Sequence, residues 1–319
     1  MKPRPWTLPG RSRAGSAEPA SLLRRHPALL LTGTPADAEV GRLLRAWNPA
    51  LGTEIAGLEA AGLTAGVEVA DGVQFAGPFR LDPETLALAG LSSTWTTAYA
   101  ALCGQDRVRV PDGIYADVLR LGYPHGLPVG AEGLAWSLVT GLARRMGGAA
   151  RLPADSPRAT RNVAVWRVRP QDTTYCVYGH EALPWSVLRS VLCLTLPELD
   201  RNGAIAANDY CLDRPGSFEV RVRPFSTDGF VPYALRRRAA ADWPCTIYRF
   251  RCMPQATDID AVRIDTQLRA AACQLADVVG GMVLDAEGFP LSATAPAPAA
   301  PAPAPLSATT AALTTSPAC

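Results

Sequence analysis

Apolar and polar residues alternate most clearly in three stretches: "NVAVWRVRP" (162–170), "SFEVRVRP" (217–224) and "CTIYRFRC" (245–252). A period of two puts one side of each stretch on a core and the other on solvent, the pattern of a half-buried strand. Shorter alternating runs flank Asp71-Gly72 in "VEVADGVQF", which predicts a hairpin, and "DRVRVPDGIYADVLRL" predicts a further strand pair. The period lengthens to that of a helix in "VGAEGLAWSLVTGLARRM", where Leu134, Leu138, Leu142 and Met146 recur at four-residue steps. It does so again in "DIDAVRIDTQLRAAACQLADVV", with Ile264, Leu268, Ala271, Leu275 and Val278 on one face. "LPWSVLRSVLCLTL" predicts a shorter helix with Val187, Leu188, Val191 and Leu192 inward. Thr34 and Asp82, each followed by proline, suit helix N-caps.

Both long helical runs end in a glycine pair followed by a short apolar stretch, "GGAARLP" and "GGMVLD". A shift of 133 residues pairs Gly147-Gly148 with Gly280-Gly281, Leu142-Ala143 with Leu275-Ala276 and Pro157 with Pro290. The same shift pairs Pro111 with Pro244 and Ile114-Tyr115 with Ile247-Tyr248. Phosphate loops carry their glycines before a helix, whereas these follow one, so the pairs are structural joints that turn the chain into the next strand. The element order in both halves is β-α-β-β-α-β. The expected fold is therefore α+β: two tandem ferredoxin-like modules, over 61–157 and 160–291, related by an internal repeat. A helical extension is expected over 21–60. Disordered termini are expected over 1–20 and 292–319, the latter a Pro/Ala/Thr-rich tail.

Composition narrows the chemistry. Of 319 residues 48% are hydrophobic, and the net charge is +2, so the total charge favours no polyanionic partner. Lys2 is the only lysine. That removes lysine Schiff-base chemistry and the Walker phosphate loop, and no G-x-G-x-x-G follows a strand. No cofactor and no metal site is expected. The eight cysteines form no C-x-x-C pair and read as free thiols in a reducing compartment. No apolar run reaches the ~18 residues of a membrane helix, and the basic N-terminus lacks a signal-type apolar core, so a cytoplasmic location is expected.

Two places carry candidate function. In a ferredoxin-like module both helices cover one face of the sheet. Alternation then leaves Arg167 and Arg169, Arg221 and Arg223, and Arg249 and Arg251 on the open face of three neighbouring strands. Six like charges call for an anionic complement: Glu68 and Asp117 of the other module, a second subunit, or an acidic partner. Nucleic acid is disfavoured, because that face lacks stacking aromatics and no RNP-like motif is present. The second place is a pair of strand-to-helix loops holding His125 and His180-Glu181. With the first and third strands as parallel neighbours, Asp258 and Asp260 would fall near His180, a possible general base or ligand set. Asp258 and Asp260 also suit a helix start. His26 reads as incidental. The expected function is a non-catalytic binding or assembly protein. Its arginine face would engage an acidic protein surface or a second copy of the chain, as a homodimer. The alternative is a small-molecule enzyme or ligand sensor with a pocket between the modules near His180.

Overall fold

In a computed structural model, residues 17–52, 66–112, 120, 123, 125–153, 164–167, 174–197, 199–206, 209–214, 217–225, 231–236, 243–252 and 258–291 are described. They form a mixed α+β structure with seven α-helices and two six-stranded antiparallel sheets. The first part of the chain runs α1 (Ala17–Arg25), β1 (Ala28–Leu31), α2 (Asp37–Trp47), β2 (Val67–Ala70), β3 (Val73–Arg80), α3 (Pro83–Ala89) and β4 (Thr97–Leu102). It continues through β5 (Arg107–Val108), β6 (Leu127–Pro128), α4 (Gly130–Met146), β7 (Ala149–Leu152) and β8 (Ala164–Arg167). The second part is β9 (Thr174–Gly179), α5 (Trp185–Leu192), β10 (Asp200–Ala206), β11 (Asp209–Arg214), β12 (Phe218–Pro224), α6 (Tyr233–Arg236), β13 (Thr246–Cys252), α7 (Asp258–Val279) and β14 (Met282–Asp285).

The strand orders are β2-β3-β4-β1-β7-β8 and β10-β11-β12-β13-β9-β14. Within them the runs β3-β4-β1-β7 and β12-β13-β9-β14 correspond: each has a long helix, α4 or α7, entering its last strand. The glycine pairs mark that correspondence. Gly147 and Gly280 lie at φ 64° and 59°, the left-handed region that glycine enters without strain. The following amides close the same cap, Gly148 N–H donating to the Ala143 carbonyl at 2.9 Å and Gly281 N–H to that of Ala276 at 2.8 Å. The second glycine of each pair meets a separate constraint. A Cβ at Gly148 would stand 2.5 Å from the Leu30 carbonyl oxygen, and one at Gly281 2.6 Å from that of Tyr178. One glycine turns the chain, and the next lets it pass against the neighbouring strand.

Several expectations change. The segment 21–60 is not only helical: β1 lies within it and is bonded on one side to β4 and on the other to β7. It is a central strand, buried at all four positions. Strand 162–170 is represented by β8, which pairs with β7 in the first sheet, so the second sheet takes β9 instead. The first-sheet strand that precedes α4 is β4, with the short β5 and β6 between them, whereas Ile114 and Tyr115 lie outside the described residues. The first sheet also has no open face at its centre. One side packs Leu29, Phe75, Tyr99 and Ala150 against α2 and α4. The other packs Leu30, Ala98 and Ala100 against Leu23 of α1 and Leu86 of α3. Asp82 caps α3, its Oδ1 accepting from Thr85 N–H at 2.6 Å. Thr34 does not cap α2; its hydroxyl pairs with that of Thr97 at 3.0 Å. Val187 and Val278, expected inward, are 43% and 54% exposed.

A hairpin after β14 fastens the two sheets together. Asp285 Oδ1 accepts from the amides of Glu287 and Phe289, tightening a turn that delivers Phe289, fully buried, into the core of the first part. The indole of Trp47 donates to the Glu287 carbonyl at 2.8 Å. Arg144 and Arg145, at the carbonyl end of α4, pair with Glu287 at 2.8 Å and Asp285 at 2.6 Å. Helix α6 makes a second tie: the Tyr233 hydroxyl accepts from Asp71 N–H at 2.9 Å, and its ring lies 5.1 Å from that of Trp47. Among the described residues, no helix is long and apolar enough to cross a membrane.

Candidate binding face

The second sheet has one face under α5 and α7. Tyr175, Val177, Tyr210, Leu212, Phe218, Val220, Val222, Tyr248, Phe250 and Cys252 form that core, the inward sets expected from alternation in β12 and β13. The opposite face is divided. Across β9 and β14 it is closed by α6, where Ala234 and Leu235 pack on Tyr178 and Leu284 beside Cys176, Ile247 and Met282. Across β11, β12 and the far end of β13 it carries Asp209, Cys211, Asp213, Glu219, Arg221, Arg223, Arg249 and Arg251.

Register sets the geometry of that open part. Arg221 stands directly opposite Arg249, Glu219 opposite Arg251, and Arg223 opposite Ile247. Directly opposite residues lie ~4.5–5.5 Å apart on one face, so Arg221 and Arg249 form a like-charged pair. Cys211 and Cys176 flank them on the outer strands. Two arginines have carboxylates nearby: Arg221 reaches Asp209 at 3.8 Å and Arg251 reaches Glu219 at 3.7 Å. Those are long, partly solvated contacts, each worth about 0–1 kcal/mol. Arg221, Arg223 and Arg249 are exposed. Neither thiol suits nucleophilic work here. Burial, with Glu219 and Asp213 beside it, pushes Cys211 up to about 11. Burial also raises Cys176, against the opposing pull of Arg249, which hydrogen-bonds it.

The expected patch of six arginines is thus four. Arg221, Arg223, Arg249 and Arg251 share one face. Arg167 lies in β8 of the other sheet, paired with Ala149, and Arg169 lies outside the described residues. The reason is the identity of the strand beside β13: it is β9, whose outward residues are uncharged. The expected carboxylate partners differ too. Glu68 is exposed on β2, and Asp117 lies outside the described residues, while the nearby acids come from β11 and β12.

The histidine loops do not form one site. β13 runs antiparallel to β9, with Thr246 opposite Gly179 and Arg251 opposite Thr174. Exposed His180 and Glu181 follow the end of β9, whereas Asp258 begins α7 beyond the other end of the ladder, roughly 17 Å along the strand. Asp260 pairs locally with Arg263 at 3.1 Å. His125 is half-buried before β6, in the first part.

Three polar groups, Glu132 and Arg151 buried and His26 half-buried, escaped the sequence reading. His26 Nδ1 accepts from Cys103 N–H at 3.3 Å, and burial lowers its pKa from the ordinary histidine value. Glu132, fully buried at the start of α4, pairs with Arg107 at 2.6 Å and accepts from Asp106 N–H. Arg151, 2% exposed on β7, donates to the Ala89 carbonyl, but its Nε and Nη1 have no partner among the described residues. Burial and nearby Arg24 bring it down to about 10. Spacing gave no sign of these, since each depends on contacts between distant segments. Among the described residues no group of three or more histidine, cysteine, aspartate or glutamate side chains is placed to hold a metal ion. No family model matches the chain, and no curated protein or solved structure matches it either.

Proposed function

We propose that this is a non-catalytic binding protein that engages an acidic protein surface through the open face of its second sheet. The observation that carries the reading is the directly opposed pair Arg221 and Arg249, with Arg223 beside it, exposed on a face that α6 closes only over β9 and β14. Arginine forks bind carboxylates bidentately, and a partner's carboxylate set between the two would relieve their repulsion. The flanking thiols are held protonated, which favours recognition over covalent chemistry. We read the protein as cytoplasmic and both halves as ferredoxin-like modules, supported by the orders β7-β1-β4-β3 and β14-β9-β13-β12; the central pairs β1–β4 and β9–β13 are antiparallel, not the parallel neighbours expected from the sequence. The reading of a ligand pocket near His180 has less support, because Asp258 lies at the opposite end of the strand ladder.

The test is binding of fluorescent poly-L-glutamate to the whole chain, with salt varied. Binding that weakens as salt rises and falls at least tenfold in Arg221→Glu/Arg249→Glu is expected. Equal binding by the variant would refute the face. Light scattering at low and high salt then assigns the partner. A dimer that splits with salt makes it a second copy, and a monomer at both makes it another protein.

A further inference from the structure

We infer that the partner segment is an extended chain with carboxylates at alternate positions, lying along β12 and β13. This rests on the binding reading above and narrows it. The four arginines are not a cluster but a two-strand ladder. Arg221 and Arg223 are two residues apart on β12, as are Arg249 and Arg251 on β13. Two residues along a strand span roughly 6.6–6.8 Å, which is also the repeat of same-side residues in any extended peptide. A peptide laid parallel to these strands therefore presents its alternate side chains in register with the three rows of the ladder.

The rows differ in strength. The middle row offers two opposed guanidinium groups, from Arg221 and Arg249. One outer row offers Arg223 beside Ile247, and the other offers Arg251 beside Glu219, which already approaches it at 3.7 Å. A central carboxylate is held twice, and its neighbours once each. The carboxylates of the sheet sharpen the choice. Asp209 and Asp213 on β11, with Glu219, confine the cationic ground to a stripe about one strand pair wide. A peptide with acids at alternate positions turns its intervening side chains away from those carboxylates, whereas a block of adjacent acids cannot place all its charge over the stripe. The arginine rows themselves hold no aromatic for base stacking: Tyr178 is buried under α6, and half-buried Phe225, beyond Arg223, is engaged edge-to-face with Tyr178 and Trp243.

The experiment measures fluorescence anisotropy of labelled peptides with the whole protein at low salt. The peptides are Ala-Glu-Ala-Glu-Ala-Glu-Ala and its isomer Ala-Ala-Glu-Glu-Glu-Ala-Ala, equal in composition and charge. The alternating peptide is expected to bind at least tenfold more tightly. Changing its central glutamate to glutamine should weaken it more than changing either outer one. Arg249→Gln and Arg223→Gln, both exposed, should each weaken it, with Arg249→Gln the more damaging and circular dichroism unchanged. Equal binding of the two isomers, with the arginines still required, overturns the alternating pattern but leaves the acidic-partner reading standing. No arginine-dependent binding of either peptide removes both. Tighter binding of single-stranded oligothymidylate at the same arginines overturns the peptide in favour of nucleic acid.

Discussion

Gly141 and Phe289 make the joint between the two sheets testable as one contact. Gly141 lies in the second half of α4, where an alanine would ordinarily stabilise the helix by about 1 kcal/mol. Here an added Cβ would come within 2.7 Å of Phe289 Cδ2 and 2.9 Å of Glu287 Cβ. The glutamate Cβ belongs to a turn fixed by two amide bonds to Asp285, so the hairpin as a whole must yield. Overpacking of this kind costs about 1–3 kcal/mol beyond what the helix gains. Phe289→Ala alone removes a fully buried ring under the Arg145 guanidinium and should cost about 3–5 kcal/mol. In that background most of the obstruction to Gly141→Ala is gone, leaving the glutamate Cβ as the remaining close approach. Its effect should then fall within ~1 kcal/mol of zero. The double-mutant cycle should therefore give a coupling of about 1–3 kcal/mol, measured by urea unfolding with far-ultraviolet dichroism and tryptophan fluorescence followed together. Trp47 reports the joint directly through its bond to Glu287. Equal destabilisation by Gly141→Ala in both backgrounds, or stabilisation by it in the wild type, would refute the wedge.

Three further outcomes follow from the same physical account. Gly148→Ala and Gly281→Ala should each destabilise by about 1–3 kcal/mol because a strand carbonyl blocks the methyl group, a loss readable as a lower thermal midpoint. Burial and the neighbouring Asp285 raise the pKa of Glu287 against the pull of Arg144 and Arg145. The folded state therefore holds this proton more tightly than the unfolded chain, and the group's contribution to stability grows as pH falls through its raised value and is lost as pH rises. The difference in urea midpoint between acidic and neutral pH should shift accordingly on Glu287→Gln, and an unchanged profile would refute the assignment. Arg151→Met should be neutral or stabilising by up to ~2 kcal/mol, because it removes a buried cation with two donors unpartnered among the described residues at the cost of one bond to Ala89; a loss above ~2 kcal/mol in the same assay would contradict that.

What the sequence made legible was periodic or local. Alternation in 217–224 and 245–252 assigned each inward residue of β12 and β13, and those residues fill the second core. The glycine pairs were legible as helix ends because a C-cap is a local conformation. Pairing between distant strands was not legible. The stretch 162–170 alternates as well as β12 does, yet β8 lies beside β7, while Thr174–Gly179, with the mixed pattern of "TYCVYG", occupies the centre of the second sheet. Period two says that a residue faces a core, not which one. Losing β8 from the second sheet moved Arg167 away from the other arginines, and the antiparallel direction of β9 and β13 separated His180 from Asp258. Both errors arose from long-range topology rather than from local propensity.

The two halves share a strand order but use their second faces differently, and the difference can be traced to residue type. In the first sheet the outward residues of β1 and β4 are Ala28, Leu30, Ala98 and Ala100, small or apolar groups that must be covered, and α1 and α3 cover them. In the second sheet the corresponding outward residues of β9 and β13 change character along the strand. Tyr178 and Ile247 are apolar and lie under α6, whereas Arg249 and Arg251 are charged. Covering those two with an apolar helix would strand guanidinium groups out of water, at several kcal/mol per unpaired ion. The cover therefore stops where the arginines begin. Solvent, or a partner that brings its own carboxylates, is what this part of the sheet can accept, and that makes the uncovered rows the place on the molecule where binding should be sought first.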